Sequence, residues 1–269
     1  MSPCAVAFAG MAVALAMAGC GTGAGGTAHP SPAGSTTGGD PTADGDADYL
    51  TDAEEAQHGT DPESPDTDGD TYLDGDEVLE GTDPLDPKSR IYQGGWPYQR
   101  FKDDIADPGF DGAPAIGSPI PRLVATDQFG ETVDLYDFAK HGRPVVLDLS
   151  AVWCGPCKDL ATWLAGKPST LDMKPEFASI PSLVSSGKIY WITIVFEDAI
   201  GNPAGPEEAA AWAEAYPNPK VAVLADDNRA MYEYVFPGAM PSITVINEDM
   251  TLRVYDRFDY EPALTSLLQ

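Results

Sequence analysis

Residues 145–157 read Val145-Val146-Leu147-Asp148-Leu149-Ser150-Ala151-Val152-Trp153-Cys154-Gly155-Pro156-Cys157. The first six form an apolar, β-rich run suited to a buried central strand. Lys158-Asp159-Leu160-Ala161-Thr162-Trp163-Leu164 follows with helical apolar spacing. Two thiols therefore stand where a strand gives way to a helix. A helix opening at Cys154 directs unsatisfied N–H groups and partial positive charge at the first sulfur. That favours the thiolate, and Cys-x-x-Cys motifs of this kind lower a cysteine pKa from ~8.5 toward ~7. Cys154 is thus expected to attack a disulfide, and Cys157, one turn later on the same face, to resolve the mixed disulfide. Pro156 suits the first helical turn because it needs no N–H partner there. Trp153 borders the nucleophile and is expected to form part of the contact surface, whereas Trp163, Trp191 and Trp212 lie on core-like faces.

Toward the C-terminus the periodicity predicts strands over 189–196, 221–224, 242–246 and 251–255 and helices over 206–216, 227–235 and 261–268. The order βαβαβαββα is that of an α/β sheet with helices on both faces. The sequence of strand, Trp-Cys-Gly-Pro-Cys, helix and a late Met240-Pro241 before a hairpin resembles the thioredoxin superfamily. The leader Pro119-Ile120-Pro121-Arg122-Leu123 and the turn Asp127-Gln128-Phe129-Gly130 are similar to its TlpA/ResA-like, redoxin branch, whose insertion corresponds to 167–188. The resemblance covers roughly the last 150 residues and implies a thioredoxin-like fold, a central mixed sheet with helices on both faces. It also implies that Asp148 is the buried acid that accepts and returns the resolving thiol's proton. An Asp among Val145, Val146, Leu147 and Leu149 is costly without such a purpose. Pro241 matches the family's cis-proline facing the cysteines, and Met240 the residue whose backbone pairs with an extended substrate. Met240 departs from the Thr or Val often found there. The Gly-Pro dipeptide, lacking the histidine of strong oxidants, implies a thioredoxin-like potential near ~-270 mV. The family needs no organic cofactor. Its peroxiredoxin relatives carry Pro-x-x-x-Thr-x-x-Cys, which this chain lacks.

Upstream the composition changes. The chain of 269 residues has a net charge of -28, and residues 40–88 carry 18 acidic residues against one basic. Nucleic acid and anionic lipid are excluded as partners of the bulk protein by this charge. Within the acidic stretch lies a repeat of period 22. Asp44-x-Asp46-x-Asp48-x-Leu50-x-Asp52-x-x-Glu55 aligns with Asp66-x-Asp68-x-Asp70-x-Tyr72-x-Asp74-x-x-Glu77, each followed by Gly-Thr-Asp-Pro. The spacing is that of a twelve-residue calcium loop, with side-chain oxygens at alternate positions, a backbone carbonyl at the seventh (Leu50 or Tyr72) and a bidentate Glu at the twelfth. The usual Gly at the sixth position is Tyr49 or Thr71, which predicts a strained turn. The stretch resembles thrombospondin type 3 repeats and, less closely, cellulosomal dockerins. Calcium binding in the weak extracellular range of ~10⁻⁴–10⁻³ M is the expectation.

The N-terminus reads as an address. Ala5 to Ala18 is small or apolar and shorter than the ~20 residues a membrane span needs. Met17-Ala18-Gly19-Cys20 closes it, and the pattern resembles a bacterial lipoprotein signal with Cys20 lipidated, although no Lys or Arg precedes the run. Gly21 to Ala43, 23 residues of Gly, Ala, Thr, Ser and Pro apart from His29 and Asp40, predicts a flexible tether reaching roughly 25–30 Å. With Cys4 removed and Cys20 acylated, two thiols remain. Zinc wants four ligands, and His29, His58 and His141 are isolated. The expected organisation is a signal peptide over 1–19, a tether over 20–43, acidic repeats over 44–88, a linker over 89–108 and a thioredoxin-like domain over 109–269. The expected protein is an exported, lipid-anchored thiol-disulfide oxidoreductase facing the periplasm or the cell surface. It would reduce disulfide-containing client proteins with electrons from an unnamed donor. The competing expectation is a calcium-dependent adhesion or scaffold protein with a non-essential redoxin domain.

Overall fold

Four apolar runs carry the centre of the fold, because a strand buried on both faces must be apolar on both. The computed structural model describes residue 40 and residues 42–269. The expected signal peptide, Cys20 and most of the expected tether lie outside the described residues. The strands are β1 (Val124–Asp127), β2 (Thr132–Asp134), β3 (Val145–Ala151), β4 (Tyr190–Glu197), β5 (Val221–Ala225), β6 (Ser242–Ile246) and β7 (Leu252–Val254). The helices are α1 (Asp52–His58), α2 (Asp74–Glu80), α3 (Gly155–Leu164), α4 (Ile180–Ser185), α5 (Pro206–Ala215), α6 (Ala230–Val235) and α7 (Glu261–Ser266).

The seven strands run in the order β2-β1-β5-β4-β3-β6-β7. β3 pairs parallel with β4 and β4 with β5, while β6 and β7 add antiparallel strands on the other side of β3. This is the mixed sheet with helices on both faces of a thioredoxin-like fold. Every residue of β3 is buried, so the strand that leads to the thiols is the most enclosed element of the sheet.

The differences from the sequence reading have local causes. α6 begins at Ala230 rather than 227 because the Asp226 carboxylate accepts from the Met231 and Tyr232 amides, and Arg229 takes a left-handed φ of 58°. The β1–β2 hairpin was not anticipated, since each strand is short and half polar. Its turn is Asp127-Gln128-Phe129-Gly130, with Asp127 accepting from the Phe129 amide. Segment 167–188 holds α4 and buries Leu171, Phe177, Ile180 and Val184. The acidic repeats, expected to be loops, contain α1 and α2. The expected linker over 89–108 packs inward, burying Tyr92 and Trp96. Residues Asp40–Gln269 thereby form one compact unit.

Candidate functional site

β3 ends at Ala151, and a two-residue turn delivers Cys154 to the N-cap of α3. Pro156 occupies the first turn, where a missing N–H costs nothing. Cys154 and Cys157 are joined by a disulfide with Cα atoms 5.3 Å apart. The Cys154 sulfur accepts from the Cys157 amide at 3.1 Å, the orphan helix donor that the sequence predicts for it. Cys154 is 2% exposed and Cys157 is fully buried, whereas Trp153 is 49% exposed. Of the two cysteines, only Cys154 retains exposed surface.

Asp148 lies on β3, opposite Thr193 of β4 and Ile243 of β6. It has no exposed surface. Ser150 and Thr193 hydroxyls donate to its two carboxylate oxygens at 3.1 and 3.2 Å. Burial pushes its carboxyl up to about 7, against the lowering effect of those hydroxyls. A carboxyl with a value near 7 exchanges protons around neutral pH.

The Met240–Pro241 peptide is cis. A cleft of about 360 Å³ is lined by Pro156 of α3, Pro241, Leu160, Leu171 and Tyr260. It brings the cysteine motif and the proline together beside an apolar wall. Met240 is partly buried against the core. Sequence reasoning missed Glu197, which ends β4, accepts from the Trp153 indole at 2.6 Å and pairs with Arg229 at 2.8 Å. The available signal was an acid at the carboxyl end of a buried parallel strand, the place where α/β sheets build sites.

The acidic repeats form a second cluster. Asp44, Asp46 and Asp48 converge, as do Asp66, Asp68 and Asp70, with ligand-type oxygens within 4.8 Å of one another. A third group joins Asp48 and Glu55 of the first repeat to Asp74 of the second. The second repeat thus lends a carboxylate to the first across the repeat boundary, which a loop-by-loop reading does not foresee. Asp52 is exposed and lies outside these groups; its carboxylate accepts from the Gly45 amide. Asp74 also accepts from the Thr67 amide and hydroxyl. Leu50 and Tyr72 are buried at the seventh positions. Tyr49 and Thr71 take left-handed φ values of 81° and 92°, so the strained sixth position is realised without glycine.

Both oxygens of Asp46 and of Glu55, Oδ2 of Asp68 and of Asp70, and Oε2 of Glu77 are buried without a hydrogen-bond partner. Burial and neighbouring carboxylates push Glu55 up to about 7 and Glu77 up to about 8. Buried carboxylates are ordinarily paired or bound to metal. Hard oxygens in this number suit calcium.

Residues 50–65 and 66–87 match the family model of the bacterial TSP3 repeat. No curated protein matches the chain. Among solved structures, the chain is similar to the thioredoxin domain of a thiol-disulfide oxidoreductase from Bacteroides vulgatus. That match has 17% identity and a TM-score of 0.39 and covers 58% of this chain and 96% of that one. It is also similar to a secreted Mycobacterium tuberculosis disulfide oxidoreductase homologous to E. coli DsbE, at 18% identity and TM-score 0.36, covering 54% and 93%. A thiol peroxidase from Chromobacterium violaceum matches at 17% identity and TM-score 0.41, covering 60% and 90%. Among the described residues, no helix is long and apolar enough to cross a membrane.

Proposed function

We propose that this chain is an exported thiol-disulfide oxidoreductase that exchanges disulfides with client proteins and carries a calcium-binding module. The observation behind this reading is the Cys154–Cys157 disulfide at the head of α3, preceded on β3 by the buried Asp148. In the reducing direction the Cys154 thiolate attacks one sulfur of a client disulfide, forming a mixed disulfide and releasing one client thiolate. Cys157 loses its proton to Asp148 and attacks the Cys154 sulfur. The Cys154–Cys157 disulfide forms, the second client sulfur leaves, and Asp148 returns the proton to it. Two electrons pass to the client, and an external dithiol donor restores the pair. Trp153, Met240 and Pro241 form the surface on which the client lies, and Pro156 holds the first turn of α3.

The acidic groups fit calcium. Asp44, Asp46, Asp48 and Glu55, with Asp74 from the second repeat, would hold one ion. Asp66, Asp68, Asp70 and Glu77 would hold another. The Leu50 and Tyr72 carbonyls are the expected backbone ligands. The ion supplies positive charge that offsets the mutual repulsion of these carboxylates. Cys20 is the proposed site of lipidation, placing the protein on the outer side of a membrane. The test of the redox assignment is an insulin-reduction assay with dithiothreitol as donor. Wild type should accelerate turbidity, and Cys154→Ser should fall to the uncatalysed rate. Full activity in Cys154→Ser would refute the assignment.

A further inference from the structure

Tyr72 belongs to two structures at once. Its main chain is part of the second acidic loop, where its amide donates to Asp70 at 3.0 Å. Its side chain leaves the loop and is 4% exposed. The hydroxyl lies 2.6 Å from the Trp96 carbonyl and 3.3 Å from the Tyr92 carbonyl. Those two residues in turn grip the sheet domain. The Trp96 indole donates to Asp127 at the end of β1 at 2.8 Å, and the Tyr92 hydroxyl donates to Asp137 at 2.6 Å. Asp127 and Asp137 are both fully buried. Lys102 pairs with Asp137 at 2.8 Å. Arg90 stands 3.4 Å from Asp70, and Arg100 donates to the Gly75 carbonyl at 2.9 Å.

We propose that the 89–102 segment is a strap through which calcium in the second loop stabilises the thioredoxin-like domain, with Tyr72 as the coupling residue. The proposal rests on the calcium reading given above. Without a cation, the loop confines Asp66, Asp68 and Asp70 together; the buried Oδ2 of Asp68 has no hydrogen-bond partner, and Oδ2 of Asp70 faces the Arg90 guanidinium at 3.4 Å without a hydrogen bond. Opening relieves that repulsion but carries the Tyr72 main chain away from the strap. A strap that loses its anchor exposes Trp96, leaves Oδ2 of Asp127 without the Trp96 indole and takes the Tyr92, Gln99 and Lys102 donors from Asp137, which is costly for buried groups. Calcium binds the closed loop and not the open one, so its binding energy adds to the stability of everything the closed loop supports. The repeats then act as a metal-dependent brace for the redox domain rather than as a spacer.

The test uses the full chain and its Tyr72→Phe variant, which keeps the loop's main-chain carbonyl and removes only the hydroxyl. Calorimetry measures calcium binding, thermal unfolding measures stability, and hydrogen exchange follows the amides of β1 and of residues 135–138. In wild type, calcium at a hundred times its Kd should raise the midpoint of the redox domain by about 5–10 °C and slow exchange in β1. In Tyr72→Phe, calcium should still release or absorb heat, while its effect on β1 exchange falls at least several-fold. Equal protection of β1 in both proteins would overturn the role of Tyr72. Calcium heat in wild type with no change in β1 exchange would overturn the strap, even if the variant fails to fold. Absence of heat in wild type would overturn the proposal by removing the calcium reading beneath it, a distinct result.

Discussion

At the residue scale, Asp148 is the sharpest statement the chain makes. A fully buried carboxyl held by two hydroxyls has a folded-state pKa raised from its ordinary value to about 7. A raised carboxyl contributes stability that is complete below its unfolded pKa and is lost as pH rises through the folded value. Oxidised Asp148→Asn, which mimics the protonated acid, is therefore expected to be the more stable protein at pH 8. The advantage should reach up to about 4 kcal/mol and vanish as the pH approaches 4. Urea titrations of both oxidised proteins across that range check it. A constant difference between them would mean that Asp148 does not change charge in this window.

At the element scale, β3, β4, β5 and β6 were legible because burial on both faces leaves a largely apolar run, broken only by buried polar residues such as Asp148, Thr193 and Thr244. The head of α3 was legible because its cysteines and proline obey helix-terminus rules. The strap was not. Tyr92-Gln93-Gly94-Gly95-Trp96-Pro97 reads as a turn-rich linker, and nothing in it points to Asp127 or Asp137, whose carboxylates are its partners. Side chains on distant strands decide such a segment, and local pattern does not carry that information. The same holds for Asp74, which the repeat period assigns to the second loop and the fold groups with Asp48 and Glu55 of the first. The repeats touch at Gly75, whose amide donates to Asp48 at 3.1 Å. A Cβ on Gly75 would stand 2.3 Å from the Asp48 carbonyl oxygen. Gly75→Ala is expected to force the loops apart and to cost about 1–3 kcal/mol, seen as a lower urea midpoint of the calcium-loaded chain. An unchanged midpoint would show that the repeats do not pack at this point.

At the scale of the whole molecule, an acidic module and a sheet domain share one compact unit, with the proposed strap between them and the two cysteines at the head of α3. The central claim is that Cys154 exchanges electrons with a client through a covalent adduct. Its most direct measurement is trapping. In Cys157→Ser the second thiol cannot resolve the mixed disulfide, so incubation with an oxidised client peptide followed by acid quench and mass spectrometry should find the peptide attached to residue 154. Loss of the adduct on adding dithiothreitol completes the expected result. An adduct that never forms at Cys154, in a variant whose thiol still reacts with iodoacetamide, would contradict the account.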